Sequence, residues 1–376
     1  MTTRTIDAAV LDRSGDNPLP YAENGAMRIA RLVLDPPGPD ELLIRMEAAG
    51  LCHSDLSVVN GDRVRPVPMA LGHEGTGIVE QVGPGVDTFE PGDRVVLAFL
   101  PACGECVPCM SGEGYLCQRG AAANGQGEML NGGFRLHECG HDVHHHLGVS
   151  AFASHAVIDR RSVVKVPADI PAEIAAVFGC AVLTGVGAAM NSAQIRPGEN
   201  VVVFGLGGVG LAAVMGAMAS GAANVIGVDP MTEKNAIAKE IGAHGVEPAA
   251  LDDAIVKIMP GGPDVVIETA GRGKVLETAY HTARRGGRVV TVGLPPPSDP
   301  FTIPALSLVA EGKTVIGSYM GSAIPARDIP RYIALWQAGR LPVEKLVSST
   351  HRLDEINAMM DRMAQGQGIR QIIMFD

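Results

Sequence analysis

The sequence predicts an α/β protein in two parts: a barrel-like β domain and, after it, a doubly wound parallel sheet. Three observations predict this. Short apolar runs at even spacing fill the chain before Pro171, strand and helix patterns alternate beyond it, and a glycine cluster follows directly on one of the later strands. A length of 376 residues suits two domains. With 46% hydrophobic and 19% charged residues the chain is globular and not disordered.

The first strands are expected at 28–34, 41–47, 77–82 and 94–99. Pro36-Pro37-Gly38, Pro66, Pro68 and Pro84-Gly85 break the chain between them. Residues 104–148 are rich in Gly, Cys and His and are expected as a long loop. A loop of that length needs a reason, and a metal staple supplies one. The Ala-rich stretch 172–191 is expected to be helical. Apolar strands follow at 200–204, 224–228, 264–267, 288–292 and 314–316, with helical patterns such as 210–219 and 234–241 between them. That order gives a parallel sheet covered on both faces. The final residues, from Ile329 on, are expected to rejoin the first domain.

The net charge of −11, with no Lys/Arg block, argues against nucleic acid and anionic membranes as partners. No apolar leader opens the sequence, and glycines interrupt the long apolar run 201–228, so no membrane span is expected. Seven cysteines, an odd number, point to metal ligands or free thiols and to the cytoplasm.

Residues 200–204 run straight into Gly205-Leu206-Gly207-Gly208-Val209-Gly210, which opens a helical pattern. That context makes a Gly-x-Gly-x-x-Gly a dinucleotide fingerprint. Gly205 permits the turn, Gly207 leaves room for a pyrophosphate, and Gly210 lets helix and strand approach. Asp229 closes the next strand, where a carboxylate accepts ribose hydroxyls and repels a 2′-phosphate, so NAD is favoured over NADP. The alternative is a turn-forming cluster in a flavin, other nucleotide or structural fold.

Cys103, Cys106, Cys109 and Cys117 offer four thiolates to one structural zinc. An iron–sulfur cluster or four free thiols are the alternatives. Cys52, His73 and Cys180 are dispersed. Taken singly each is an ordinary buried residue, but together they would leave a fourth zinc position open, with Asp55 holding the His73 ring.

The order Cys-His-Ser-Asp, Gly-His-Glu-Gly-x-Gly, four-Cys loop, Cys before Thr-Gly-x-Gly, and Gly-Leu-Gly-Gly-Val-Gly resembles that of zinc-dependent medium-chain alcohol dehydrogenases. The resemblance covers essentially the whole chain. Within the family it is nearest the liver-type branch, through the long loop after Cys117 with His145-His146-Leu147-Gly148 and Ser150-Ala151-Phe152. It implies a GroES-like β-barrel catalytic domain over 1–181 and 325–376, with an inserted Rossmann domain over 182–324 that binds NAD. It implies two zinc ions per chain: a catalytic one on Cys52, His73 and Cys180, with Glu74 behind it, and a structural one on the four-Cys loop. Ser54 would carry the proton of the alcohol. His53 and Arg370 would contact the pyrophosphate, Lys234 the ribose with Asp229, and Thr184 and Val209 the nicotinamide. Phe99 would line the substrate pocket. The implied activity is NAD-dependent oxidation of a primary alcohol, reversible as aldehyde reduction, with room beside Ser54 for bulky or aromatic substrates. The implied assembly is a homodimer through the edge near 302–318, with a tetramer as the alternative. Rival functions are a thiol-dependent formaldehyde dehydrogenase and a non-catalytic NAD-binding protein.

The departures from that pattern are informative. Ser57 stands where many members carry a relay His. Arg63 reads as a solvated loop charge, the alternative being a cation at the pocket mouth. Ala121 stands where the glutathione-dependent enzymes place an Arg, with Arg119 nearby. His141, His144, His145 and His146 read as structural residues and not as a third metal site.

Overall fold

In Met27–Leu34 the side chains of Ala30, Leu32 and Leu34 are buried while Ile29, Arg31 and Val33 face water, the period-2 pattern of a strand with one wet face. Arg4–Leu11 pairs antiparallel with it, with Ala8 opposite Ala30. Leu136–Glu138, His141–His145 and Met69–Ala70 complete a closed five-stranded barrel. Ile6, Val10, Leu32, Leu34 and Val143 fill its interior. The structure, a computed structural model, describes residues 2–376.

A second sheet carries the chemistry of this half. Glu41–Gly50 lies at its centre and pairs with Glu74–Val82, His155–Asp159 and the C-terminal strand Arg370–Met374. Ile372 sits opposite Gly50, so the last strand ends its pairing two residues before Cys52. The chain forms two compact units. The first takes in residues up to Cys180, Ile324–Ile329 and Val347–Asp376, and the second Ala181–Ala323 and Pro330–Leu346. The expected boundaries, 1–181 with 325–376 and 182–324, differ from this by one residue at Ala181 and Ile324 and by the whole of residues 330–346. These are tied to the second unit by Arg340 Nη2 on Ala219 O (2.6 Å) and Lys345 Nζ on Glu240 (2.8 Å).

In the second unit six strands lie side by side: His244–Val246, Asn224–Val228, Asn200–Phe204, Val265–Glu268, Arg288–Thr291 and Thr314–Gly317. Every pairing is parallel. In order of appearance the strands read 3-2-1-4-5-6, the doubly wound order, which opens a crevice at the strand ends where the order reverses. Val202, Ile226, Val266 and Val289 are buried, as strands covered on both faces require. The apolar run 201–228 is therefore strand, helix and strand. One helical stretch, Ala172–Ser192, is long and apolar enough to cross a membrane by length and composition, and its residues are largely packed inside the protein.

The stretch 104–148, expected as a loop, has structure of its own. Gln118–Gln126 is helical, with the Cys117 sulfur accepting from Gly120 N, and Leu136–Glu138 and His141–His145 form a hairpin. Three- to five-residue strands rich in His carry too little apolar periodicity to announce themselves. His145 in that hairpin is buried, and its Nε2 accepts from Arg135 N at 3.0 Å. Burial, reinforced by the neighbouring Arg135 charge, pushes its pKa down to about 3. It stays neutral in the fold, while in the unfolded chain it takes up a proton below about 6.5. Protonation thus favours unfolding. Stability should fall as pH drops below about 6.5, with this residue contributing up to ~1.4 kcal/mol per pH unit. In urea unfolding between pH 6.5 and 4.5, His145→Gln should flatten the slope by up to one proton. An unchanged slope would refute the assignment.

Candidate metal and dinucleotide sites

Four sulfurs converge first. Cys103, Cys106, Cys109 and Cys117 bring their Sγ atoms within 4.8 Å of one another, and all seven cysteines are free. Cys103 to Cys109 and Cys106 to Cys117 both measure 3.9 Å. A tetrahedral zinc–thiolate site with bonds of ~2.3 Å has edges of ~3.8 Å, so the cluster has the size of that polyhedron. Backbone N–H groups of Cys103 and Gly120 point at the Cys117 sulfur (3.2 and 3.3 Å), and those of Glu105 and Cys106 at Cys103 (both 3.4 Å). Such donors favour thiolates.

The second cluster is assembled from three distant segments. Cys52 precedes the helix His53–Val59, His73 precedes the strand Glu74–Val82, and Cys180 lies in the π-helical turn Phe178–Val182. A π turn inside a helix is a common device for aiming a functional side chain. The Cys52 and Cys180 sulfurs and one His73 ring nitrogen lie within 4.8 Å of one another, all buried. Cys180 Sγ is 3.5 Å from His73 Nε2. Zinc–sulfur and zinc–nitrogen bonds of ~2.3 and ~2.0 Å give nearly that edge, so the set fits a zinc with one corner open.

The other ring nitrogen fixes the imidazole. His73 Nδ1 donates to Asp55 Oδ1 at 3.0 Å, leaving the Nε2 lone pair free for a metal. Asp55 is 0% exposed, and its Oδ2 accepts from Cys52 N at 3.0 Å. Burial raises the Asp55 pKa, but the attraction of the His73 imidazole and the ring nitrogens of His146 and His73 facing it outweigh this and hold the carboxyl down to about 2. The Phe99 ring meets His73 edge-on, 5.4 Å between centroids.

Glu74 lies behind the cluster, fully buried, neither oxygen making a regular hydrogen bond. Arg370 Nε is 3.3 Å from Glu74 Oε1, and Arg370 Nη1 donates to Leu51 O at 2.9 Å. Burial drives the Glu74 pKa up to about 7 against the opposing charge of Arg370. Gly50 makes room for this pair, since a Cβ there would meet Glu74 Oε1 at 2.5 Å. Arg370, expected at a pyrophosphate, is 3% exposed and faces these protein groups.

Other expected residues lie as follows. Ser54 is half-buried and His53 exposed in the first turn of the helix after Cys52. Ser57 Oγ donates to His53 O at 2.9 Å, so that hydroxyl is spent on its own helix. Arg63 is half-buried on the following loop, its N–H bonded to Ser57 O (2.8 Å). Arg119 pairs at the surface with Glu105 (2.7 Å). The histidines of 141–146 do not converge on one another. His144 Nδ1 faces Gln126 O, His145 faces Arg135, and His146 faces Asp55. That last contact escapes sequence reasoning, because nothing in the spacing relates His146 to Asp55.

In the second unit the glycines meet their expected geometry. Gly205 has φ +83°, a left-handed turn. A Cβ on Gly210 would fall 1.7 Å from Gly205 O. A Cβ on Gly207 would meet nothing within 4 Å, so internal packing does not account for a glycine there. Gly208 and Val209 lie in the first turn of the helix Gly208–Ala219, whose free N–H groups make an anion site. Asp229, 6% exposed, accepts from Leu206 N (2.8 Å) and Met231 N (2.9 Å), which ties the strand end to the glycine turn. Asn235 Nδ2 donates to Asp229 O at 2.8 Å, a support the sequence does not announce. Lys234 and Thr184 are half-buried.

A barrel unit with a three-ligand metal cluster and a Rossmann unit with a phosphate turn together define a zinc-binding dehydrogenase. Comparison with known proteins agrees. Residues 38–168 match the alcohol dehydrogenase GroES-like domain, and residues 208–338 match the zinc-binding dehydrogenase family. The chain is 40% identical over 355 residues to an NDMA-dependent alcohol dehydrogenase of Amycolatopsis methanolica, covering 92% of this chain and 95% of that protein. It is similar to the crystal structure of an alcohol dehydrogenase zinc-binding domain protein from Burkholderia ambifaria (TM-score 0.93, 34% identity, 100% of both chains). It is also similar to that of benzyl alcohol dehydrogenase from Acinetobacter calcoaceticus (TM-score 0.91, 32% identity, 99% of this chain and 100% of that one). The chain belongs to the zinc-dependent medium-chain alcohol dehydrogenase family.

Two substitutions test these assignments. Gly210→Ala should push the turn apart and weaken binding of the reduced nicotinamide cofactor at least ~tenfold, equal to ~1.4 kcal/mol, without loss of bound metal. Fluorescence titration beside metal analysis reads both. Ser57→Ala should leave turnover well within the ~hundredfold that marks acid–base participation, and a larger loss would make Ser57 a relay group.

Proposed function

We propose that this protein oxidises a primary alcohol, bulky and aromatic ones included, with NAD as hydride acceptor, and reduces the aldehyde in reverse. The observation that carries this is the buried Cys52–His73–Cys180 set, sized for a tetrahedral ion yet one ligand short. A structural site closes its fourth corner, as the four-Cys cluster does. A catalytic site keeps it for substrate.

Zinc held there would supply Lewis acidity toward the alcohol oxygen, and NAD would take up the hydride. The chain supplies the rest. Asp55 holds His73 in the tautomer that presents Nε2. Ser54 Oγ, half-buried two residues past Cys52, accepts the alcohol proton and passes it outward. Phe99, stacked edge-on against His73, gives the pocket an apolar wall and excludes water beside the ring. Four backbone-assisted sulfurs would hold a second zinc and order the segment around it. Asp229 supports NAD over NADP, because its carboxylate opposes a phosphate on the ribose. The resemblance to benzyl alcohol dehydrogenase supports the aromatic end of the substrate range. Arg119 has its own carboxylate partner, which argues against its binding a glutathione adduct. We assign the protein to the cytoplasm as a homodimer, on the strength of its cysteine usage and the edge strand Thr314–Gly317.

The test is NADH formation by purified protein with benzyl alcohol and longer primary alcohols, run beside NADP, beside NDMA, and beside formaldehyde with thiols. Turnover with NAD and no thiol is expected, and Ser54→Ala should lower kcat by ~10²–10⁴. Turnover confined to formaldehyde plus thiol, or to NDMA with no response to added NAD, would overturn the corresponding part of the assignment.

A further inference from the structure

The buried side of the Cys52–His73–Cys180 cluster holds one imidazole more than a zinc site needs. His146 is as buried as His73, and its ring stands perpendicular to the His73 ring at 5.5 Å between centroids. His146 Nδ1 lies 3.1 Å from Asp55 Oδ1, the oxygen that also accepts from His73 Nδ1. The two atoms are within ion-pair distance but outside regular hydrogen-bond geometry. A buried carboxylate only accepts, so the His146 nitrogen facing it is the protonated one. One Asp55 oxygen thus serves two imidazoles while the other takes Cys52 N–H.

The turn that delivers His146 is built for that position. Its N–H points at Ala70 O (3.2 Å) and Ser150 Oγ (3.1 Å), and its carbonyl accepts from Val149 and Ser150. Leu147, Gly148 and Ser150 have φ of 54°, 68° and 52°. Left-handed backbone at two non-glycine residues persists only where the surroundings dictate it. His73 is therefore flanked edge-on by Phe99 and His146, and it is tethered by a carboxylate that His146 also holds.

We propose that His146 is a positioning residue for the zinc ligand His73, acting through the shared Asp55 carboxylate. A carboxylate held only by Cys52 N–H and by the imidazole it orients can still turn about its Cα–Cβ and Cβ–Cγ bonds and carry that imidazole with it. The His146 ring nitrogen, 3.1 Å from the same oxygen, opposes that turn, and the Nε2 lone pair stays aimed at the metal. The inference rests on the catalytic-zinc assignment above.

The test compares His146→Asn, which keeps an N–H donor close to the Nδ1 position, with His146→Leu, of nearly the same shape and without one. His146→Phe gives the second comparison if the leucine variant does not fold. The readout is zinc release from the holoenzyme to a chromogenic chelator, with the d–d absorption of cobalt-substituted protein as a second signature. His146→Leu should release the catalytic-site metal ~10–100-fold more readily and shift the cobalt bands. Its structural-site release should stay at the wild-type value, which also reports that the variant is folded. His146→Asn should restore most of the retention. Catalytic-site release from His146→Leu at the wild-type rate, or equal leakiness of the leucine and asparagine variants, would overturn the role of the donor. Wild-type protein that takes up only the structural-site metal would instead remove the catalytic-zinc assignment itself, a result reached before any variant is made.

Discussion

A carboxylate with no access to water must be surrounded by donors, and in this protein that requirement organises the Cys52–His73–Cys180 cluster. Asp55 accepts from Cys52 N–H and His73 Nδ1 and faces His146. Each partner comes from a different part of the chain: the start of a short helix, the approach to a central strand, and the turn after a hairpin. An unpaired charge at that depth would be ruinous. Holding Asp55 ionised therefore forces the three segments together, and the ligand nitrogen of His73 is positioned as a result.

The neighbouring pair Glu74 and Arg370 obeys the same rule less completely. Their charges offset one another at 3.3 Å, yet neither Glu74 oxygen is regularly hydrogen-bonded, and the Glu74 pKa rises accordingly. Asp55 is the fully matched acid that holds a ligand still. Glu74 is the under-matched one, whose charge bears on Cys180 and Arg370 from behind the cluster. Two buried carboxyls in one site thus take different protonation behaviour from their surroundings.

In the second unit the organising constraint is space and not charge. Gly205 and Gly210 are required by the protein's own backbone, whereas Gly207 is required by nothing in the protein. Its bare backbone leaves the turn open to a phosphate group, as the fingerprint requires. Asp229 joins the two halves of that site, because the backbone N–H it accepts belongs to Leu206 in the glycine turn.

The sequence by itself determined the local chemistry: the four-Cys spacing, the strand–glycine–helix fingerprint and the period of the long buried strands. Each of these lies within one short segment, where spacing alone fixes geometry. Cys52, His73 and Cys180 stood out as candidate ligands only through a family pattern, since three single residues in distant segments have no spacing to read. Only the tertiary structure decided which groups meet behind them. It brought His146 to Asp55 and Arg370 to Glu74, assigned 330–346 to the second unit, and gave 104–148 a helix and a hairpin. The physical reason is common to all four. Short or polar segments carry little hydrophobic periodicity, and buried polar partners are chosen by where the chain places unmet donors and acceptors, a matter of three-dimensional proximity that sequence order does not encode.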